Sequence, residues 1–381
     1  MNFSNSYDLT YITIDSLSEG VGSSQITPLI SRLSKMGLKI SLISYEKLQP
    51  KSDLVDYYKL LGVAWNPKPF GSQGLIGGIE RLNSLRRDIP KTNLIHARSD
   101  IPAVSGIASR EAPVLWDVRS LWADQKVMIQ ENLVHSTLYR AYRGLESIAA
   151  NKSFAMSTLT SAVVPVLEQR HKKLPELRAI VPTAVDLERF RLESEFPTTI
   201  KVLFSGTYND YYDLELSAMF LDELRNLVPI KIHWARPLES GKTHISVGEE
   251  KVIPSTQVEM SMLIPDYSFG VSICKLDAGP SLSAAMPTKI GEFLACGRPI
   301  VVNKGLGDMD SFINEFNAGV ILDGTDDNLR AGAASLVSLL SDPETPHRCR
   351  ALAEKYFSLD VGAKRYFDIY QKMLTPHSRR A

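Results

Sequence analysis

A chain of 381 residues with 44% hydrophobic and 23% charged side chains has ordinary globular composition, which excludes the disordered and fibrous classes, and its length suits two domains better than one core. Lys plus Arg and Asp plus Glu number 43 each; this balance excludes a general nucleic-acid binder, whose affinity needs an excess of cations. Three cysteines, Cys274, Cys296 and Cys349, are too few and too far apart for a disulfide framework or a CxxC pair, and the seven histidines form no HxxxH or HExxH spacing, so no metal is expected.

The start, MNFSNSYDLTYITID, lacks the basic and apolar regions of a secretion signal, and no stretch reaches the roughly 18 apolar residues of a membrane span. A cytoplasmic location is expected. YDLTYITID reads as a strand. SQITPLISRLSKMG then places Ile26, Leu29, Ile30, Leu33 and Met36 on one helical face and stops at Gly37, and KISLISYE is the next strand. NLIHARS, PVLWDVRS, SFAMS and AIVPTAVD are further extended runs, separated by helical patterns at 75–87, 101–111, 131–150 and 161–171. Strand and helix in alternation with short crossovers predict a doubly wound parallel sheet.

The polar, Pro-containing stretch RLESEFPTT at 191–199 is the expected linker. It gives a first domain over 1–190, a second over 191–358 and a terminal helix in 359–381. After it the alternation restarts with KVLFSG, a helix at 213–227, KIHWAR, KVIP, a helix at 256–264, and helices at 309–316 and 326–341 around AGVIL. The fold class expected is α/β, with two Rossmann-like domains. Over 344–375, Tyr356, Phe357, Tyr366, Phe367, Ile369 and Tyr370 make one aromatic-rich helical face.

In SLSEGVGSSQ, Gly20 and Gly22 lie between the first strand and first helix. They either let a helix N-terminus approach a ligand or serve a turn that needs positive φ. A nicotinamide-enzyme reading would use Glu46 at the end of the second strand, but Gln25 occupies the third glycine position of GxGxxG. His96 and Arg98, and then Asp117 and Arg119, stand at the carboxyl ends of predicted strands, where open α/β sheets bind ligands. Asp117 equally suits a cap or an ion pair. Arg119, with Trp116 and Trp122 nearby, offers charge and stacking to a sugar or phosphate.

In the second half Gly206, Arg236 and Lys275 end successive strands, and Lys289 joins them if those strands are neighbours. The stretch SFGVSICKLDAGPSLSAAMPTKIGEFLACGRPIVV at 268–302 is one strand, loop, helix, strand unit, with Pro287 and Thr288 at the helix start and Gly297 at its stop. A helix N-terminus and two lysines facing one crevice suit an anion. Asp308 and Asp310 have the D-x-D spacing of a metal–diphosphate site, but their place at a helix start favours capping.

Taken together, GVGSSQITPLISRLSKMG, LIHARS, WDVRSLWAD, YRAYRGLES, IVPTAVDLERF and above all PTKIGEFLACGRPIVVNKGLGD resemble the large fourth family of retaining, nucleotide-sugar-dependent glycosyltransferases of the GT-B fold, in particular members that build bacterial surface polysaccharides. The resemblance implies two domains facing across a cleft, acceptor on the first and donor on the second, with the final helix crossing back to the first domain. It implies that Glu292 holds the ribose hydroxyls, that Pro287, Thr288 and Lys289 meet the diphosphate, and that the Gly20–Gly22 loop reaches over the phosphates. Gly206 joins the nucleotide-binding set. Arg236, Lys275, Lys289 and Asp117 are the catalytic candidates, and Arg98 and Arg119 the acceptor-binding ones. No cofactor is implied beyond a UDP- or GDP-linked sugar as co-substrate, with a glycan or polyprenyl-linked acceptor and peripheral contact with the inner face of the cell membrane. Where the family carries an earlier glutamate this chain has Ala284, and Ser281 or Ser283 would have to supply its contact. The alternatives are an NAD-dependent oxidoreductase and a non-catalytic nucleotide-binding partner in a polysaccharide assembly.

Overall fold

The computed structural model describes residues 6–72, 74–129, 133–206, 208–236, 251–254 and 256–375; for 75, 127–129, 133–136, 236, 251–254 and 257 the backbone alone is described. The chain divides into two compact units, one of residues up to Val181 with those from Gly362 onward, the other Pro182–Val361.

The first unit holds seven strands, β1 (Tyr7–Ile12), β2 (Ile40–Glu46), β3 (Ala64–Pro69), β4 (Thr92–Arg98), β5 (Val114–Val118), β6 (Ala155–Thr158) and β7 (Leu177–Ile180), in the order β3-β2-β1-β4-β5-β6-β7. Every adjacent pair is parallel. The order reverses between β1 and β4, so the crevice outside their carboxyl ends is the place for a ligand. Strand β3, AWNPKP, is absent from the sequence expectation. Its two prolines cannot donate to a ladder and its side chains are mostly solvated, as suits the sheet edge it occupies. The helix Ser52–Leu60 also escapes the pattern, because Tyr58 is its one buried residue.

In the second unit β8 (Ile200–Ser205), β9 (Ile230–Arg236), β10 (Lys251–Pro254), β11 (Phe269–Ser272), β12 (Ile300–Asn303) and β13 (Gly319–Leu322) form a sheet ordered β10-β9-β8-β11-β12-β13, again all parallel. The reversal falls between β8 and β11. Buried Val202, Phe204, Trp234, Phe269, Val271 and Val301 build its core, with Phe204 stacked on Trp234 at 4.4 Å. Two glycines set the depth of the helix Thr288–Ala295. A Cβ at Gly270 would come within 2.5 Å of the Phe293 ring, and one at Gly291 within 2.8 Å of Val185 Cγ2. The helix therefore lies close on β11, with its N-terminus at the carboxyl edge of the sheet.

The aromatic residues of the tail are divided. Tyr356 stacks on Phe312 at 3.8 Å and Phe357 is buried beside it in the second unit, whereas Tyr366, Ile369 and Tyr370 are buried in the first. The single helical face expected over this stretch fails because a π-helical turn, Ala353–Phe357, ends before the last helix starts at Leu359. Among the described residues no helix is long and apolar enough to cross a membrane.

Candidate functional site

At the β8/β11 reversal, two loops are stitched together. Lys275 N–H donates to Tyr211 O at 3.0 Å, Asp213 N–H to Ile273 O at 3.0 Å, and Tyr212 bridges Cys274. Gly206, at φ +85°, turns the chain out of β8 and donates its N–H to Ala235 O of β9. Gly206, Lys275 and Lys289 thus share one edge of the sheet. Arg236 ends the adjoining strand β9, and its side chain lies outside the described residues.

Lys289 is the most distinctive group there. It is 8% exposed, and its Nζ lies 3.9 Å from the centre of the Tyr208 ring and 4.2 Å from that of Tyr212. Its ammonium has no hydrogen-bond partner. Burial lowers its pKa to about 7, against the opposing pull of Cys274 and Glu292. Glu292, one turn along the same buried face, has its pKa raised to about 7 by burial, with Lys289 opposing. Pro287 is the N-cap of this helix and makes no side-chain cap bond, and Thr288 opens it. A desolvated cation, a carboxyl one turn away and the positive end of a helix dipole together suit a phosphate with a hydroxyl-bearing neighbour.

Ala284, 2% exposed, closes the short helix Pro280–Ser283, a stretch that the sequence pattern places in a loop. Ser281 Oγ donates to Ala278 O at 2.8 Å and Ser283 Oγ to Pro280 O at 2.7 Å, so both hydroxyl protons are engaged locally. Asp310 accepts from Gly305 N–H at 3.1 Å through both oxygens, which ties its carboxylate to the turn before its helix.

In the first unit, Asp117 is buried at the end of β5 and accepts from Ser157 Oγ at 2.9 Å and Tyr366 Oη at 3.0 Å. His96 Nε2 lies 3.3 Å from its other oxygen, and guanidinium nitrogens of Arg119 and Arg98 lie at 3.7 and 3.9 Å. Burial works against the charged carboxylate, yet Arg119, His96 and Arg98 hold its pKa well below the usual range. Burial also lowers the pKa of His96, whose Nδ1 bonds Tyr370 Oη at 2.6 Å. Arg98 Nε donates to Asp15 at 2.8 Å, and Arg119 donates to Tyr366 Oη at 3.3 Å. Four of the sequence candidates, His96, Arg98, Asp117 and Arg119, therefore form one cluster beside the β1/β4 reversal, and the last helix supplies two of its partners.

The glycine loop after β1 is held by Glu46. Its carboxylate accepts from Ser16 Oγ at 2.6 Å, Leu17 N–H at 2.9 Å, Ser18 N–H and Oγ at 3.3 and 2.9 Å, and Ser44 Oγ at 2.7 Å. Gly20 turns at φ +54°, and a Cβ at Gly22 would fall 1.8 Å from Ser16 O. The sequence reading missed the tyrosines around Lys289 and the Tyr366 and Tyr370 contacts. Three tyrosines within GTYNDYYD were the available signal for the former; for the latter, pairing across more than 240 positions left none.

The two sheets are parallel-sheet α/β domains of the kind found in GT-B glycosyltransferases, and comparison with solved structures gives the same fold. A sucrose-phosphate synthase from Thermosynechococcus elongatus is similar with a TM-score of 0.71 at 12% identity, over 96% of this chain and 98% of that one. HepE from Anabaena, solved in complex with UDP-glucose, is similar with a TM-score of 0.66 at 11% identity, over 96% of this chain and 100% of the other. WaaG, a glycosyltransferase involved in lipopolysaccharide biosynthesis, is similar with a TM-score of 0.64 at 13% identity, over 95% and 99% of the two chains. No family model and no curated protein sequence matches the chain.

Proposed function

We propose that the protein is a glycosyltransferase that moves a sugar from a nucleoside-diphosphate donor to a glycan or lipid-linked acceptor, with the donor held by the second unit. The carrying observation is Lys289, a buried ammonium without a hydrogen-bond partner at the start of a helix on the sheet reversal. Breaking a sugar–diphosphate bond puts negative charge on the leaving phosphate. A cation and backbone N–H groups fixed in advance gain strength as that charge grows, and one such donor contributes about 2.7–4 kcal/mol. Lys289 and Lys275 supply positive charge where a metal ion otherwise would, so the reaction is read as metal-independent. Glu292 accepts from the ribose hydroxyls, and Gly206 offers close backbone approach.

Retention of anomeric configuration follows if the acceptor attacks from the face of the leaving group, whose phosphate oxygen takes the acceptor proton. Arg98 and Arg119 serve the acceptor side. Asp117, 1% exposed, accepts hydrogen bonds from Ser157 and Tyr366 through one oxygen and acts by holding Arg98, Arg119 and His96. A role in surface-polysaccharide synthesis is supported by the resemblance of PTKIGEFLACGRPIV and by the fold shared with WaaG, and peripheral attachment to a membrane would follow from a lipid-linked acceptor. The oxidoreductase alternative is weakened by Glu46, whose five hydrogen bonds within the protein leave it unsuited to a cofactor ribose.

Calorimetry with UDP, GDP and NAD tests the reading, followed by turnover of a panel of nucleotide sugars. UDP or GDP binds and NAD does not, and a donor sugar is transferred or slowly hydrolysed. Lys289→Ala and Glu292→Ala each lower turnover by at least about tenfold, a loss of ~1.4 kcal/mol of transition-state stabilisation. Wild-type rates in both variants, or binding of NAD alone, would overturn it.

A further inference from the structure

The first unit contains a cavity of about 390 Å³. It opens outside the carboxyl ends of three neighbouring strands. Ile14 lies just beyond β1, Lys47 directly follows β2 and Phe70 directly follows β3. Its walls are apolar, with Leu82, Ile101, Trp122 and Leu145 joining Ile14 and Phe70. Among the described residues the titratable lining groups include three bases, Lys47, Arg81 and Lys126, and no carboxylate.

Two details indicate an occupant. Arg81 is 7% exposed and donates to the carbonyls of Phe70 and Ser72, both at 2.9 Å, while its Nε has no hydrogen-bond partner. A buried guanidinium with an idle N–H and no carboxylate among its partners wants an anion. Gly78, inside the helix Gly74–Asp88, also faces the cavity. Glycine in a helix interior costs roughly 0.5–1 kcal/mol relative to Ala, yet the nearest atom to a Cβ here would be Ile101 Cδ1 at 3.8 Å. Packing does not demand the glycine; what it preserves is open volume. Ile79, in the lining, is 54% exposed, an apolar side chain that water does not favour.

We infer that this cavity binds an anionic amphiphile, with the apolar chain along the Ile101, Trp122 and Leu145 wall and the anionic head at Arg81. Lys126, whose Nζ lies 5.8 Å from the Trp122 ring centre, supplies a second positive charge at the rim; Lys47 is already paired with Glu19 at 2.7 Å. Identifying the amphiphile as the acceptor of sugar transfer rests on the function proposed above. Binding itself does not.

Decyl phosphate, decyl maltoside and inorganic phosphate are titrated into the full-length protein by calorimetry, with Trp122 fluorescence as a second signal. Decyl phosphate binds saturably at one site, decyl maltoside at least about tenfold more weakly, and inorganic phosphate not at all, because the site needs both tail and charge. Gly78→Leu fills the cavity with a better helix former, so it keeps the fold and weakens decyl phosphate by at least about tenfold while UDP affinity is unchanged. Lys126→Ala, on the exposed rim, weakens it less. Absence of decyl phosphate binding, equal binding of decyl maltoside, or indifference to Gly78→Leu overturns the inference. Loss of UDP binding with decyl phosphate binding intact overturns the donor-site reading and leaves the cavity assignment standing.

Discussion

The Lys289 ammonium lies 3.9 Å from the centre of the Tyr208 ring and is held there without a hydrogen bond. The ring face offsets part of the desolvation, and burial still brings the pKa down to about 7. At pH 8 much of the free protein is therefore uncharged at Lys289, while a bound diphosphate requires the proton. UDP binding should take up a proton above pH 7, and affinity should fall as pH rises. Calorimetry at pH 8 in buffers of different ionisation enthalpy reads this directly, and Lys289→Met should abolish the uptake.

The same pair reduces stability near neutrality. Glu292 titrates near 7 instead of 4.5, so between those values the folded protein binds more protons and stability falls as pH rises. Lys289 titrates near 7 instead of 10.5, so above 7 the unfolded chain binds more protons and stability rises with pH. The cost is greatest near pH 7. Lys289→Met with Glu292→Gln should raise Tm there by about 2–4 °C, the equivalent of ~1 kcal/mol in a unit of this size, with a smaller gain at pH 5. Equal or lower Tm for the double variant at pH 7 would contradict this.

Asp100 gives a second pH signature, in the first unit. Burial, reinforced by Glu146, raises its carboxyl pKa to about 7, and Trp116 Nε1 donates to it at 3.0 Å. From about pH 4 to pH 7 the folded protein holds the extra proton, so stability declines across that window as pH rises. Asp100→Asn retains an acceptor for Trp116 and should stabilise the protein at pH 8 by on the order of 2 kcal/mol, with little effect at pH 4. Denaturant titrations at the two pH values provide the comparison.

The contacts of the last helix should be unequal. Tyr370→Phe leaves Nδ1 of a fully buried His96 unpaired and should cost about 1–3 kcal/mol. Tyr366→Phe removes one donor from Asp117, which keeps Ser157, and should cost less, about 0.5–1.5 kcal/mol. Urea unfolding of the two single variants reads the difference.

Glu46 organises the loop that ends in Gly22. Its carboxylate pKa is lowered: burial alone would raise it, but Leu17 N–H and the hydroxyls of Ser16, Ser44 and Ser18 outweigh burial. Its contribution is present above the unfolded carboxylate value and is lost as pH falls through the lower folded one. Glu46→Gln should cost about 1.5–3 kcal/mol and accelerate hydrogen exchange at Leu17.

Much of this protein follows from local chemistry. Alternating runs such as KISLISYE and KVLFSG have the right period, length and stop signals to be strands of parallel sheets, and both sheets could be anticipated. The head of the helix at Thr288 was legible for the same reason: a proline before it and a glycine after it act within a few residues. Strand β3 was not, since an edge strand with two prolines lacks the apolar run of a buried one. The clusters that give single residues their character belong to the tertiary structure. Lys289 is an ordinary surface candidate in the sequence until Tyr208 and Tyr212 fold over it from a neighbouring strand end. Asp117 becomes a buried tie only when Tyr366 arrives from the other end of the chain. Burial and pairing across such separations are set by packing, which local periodicity does not encode.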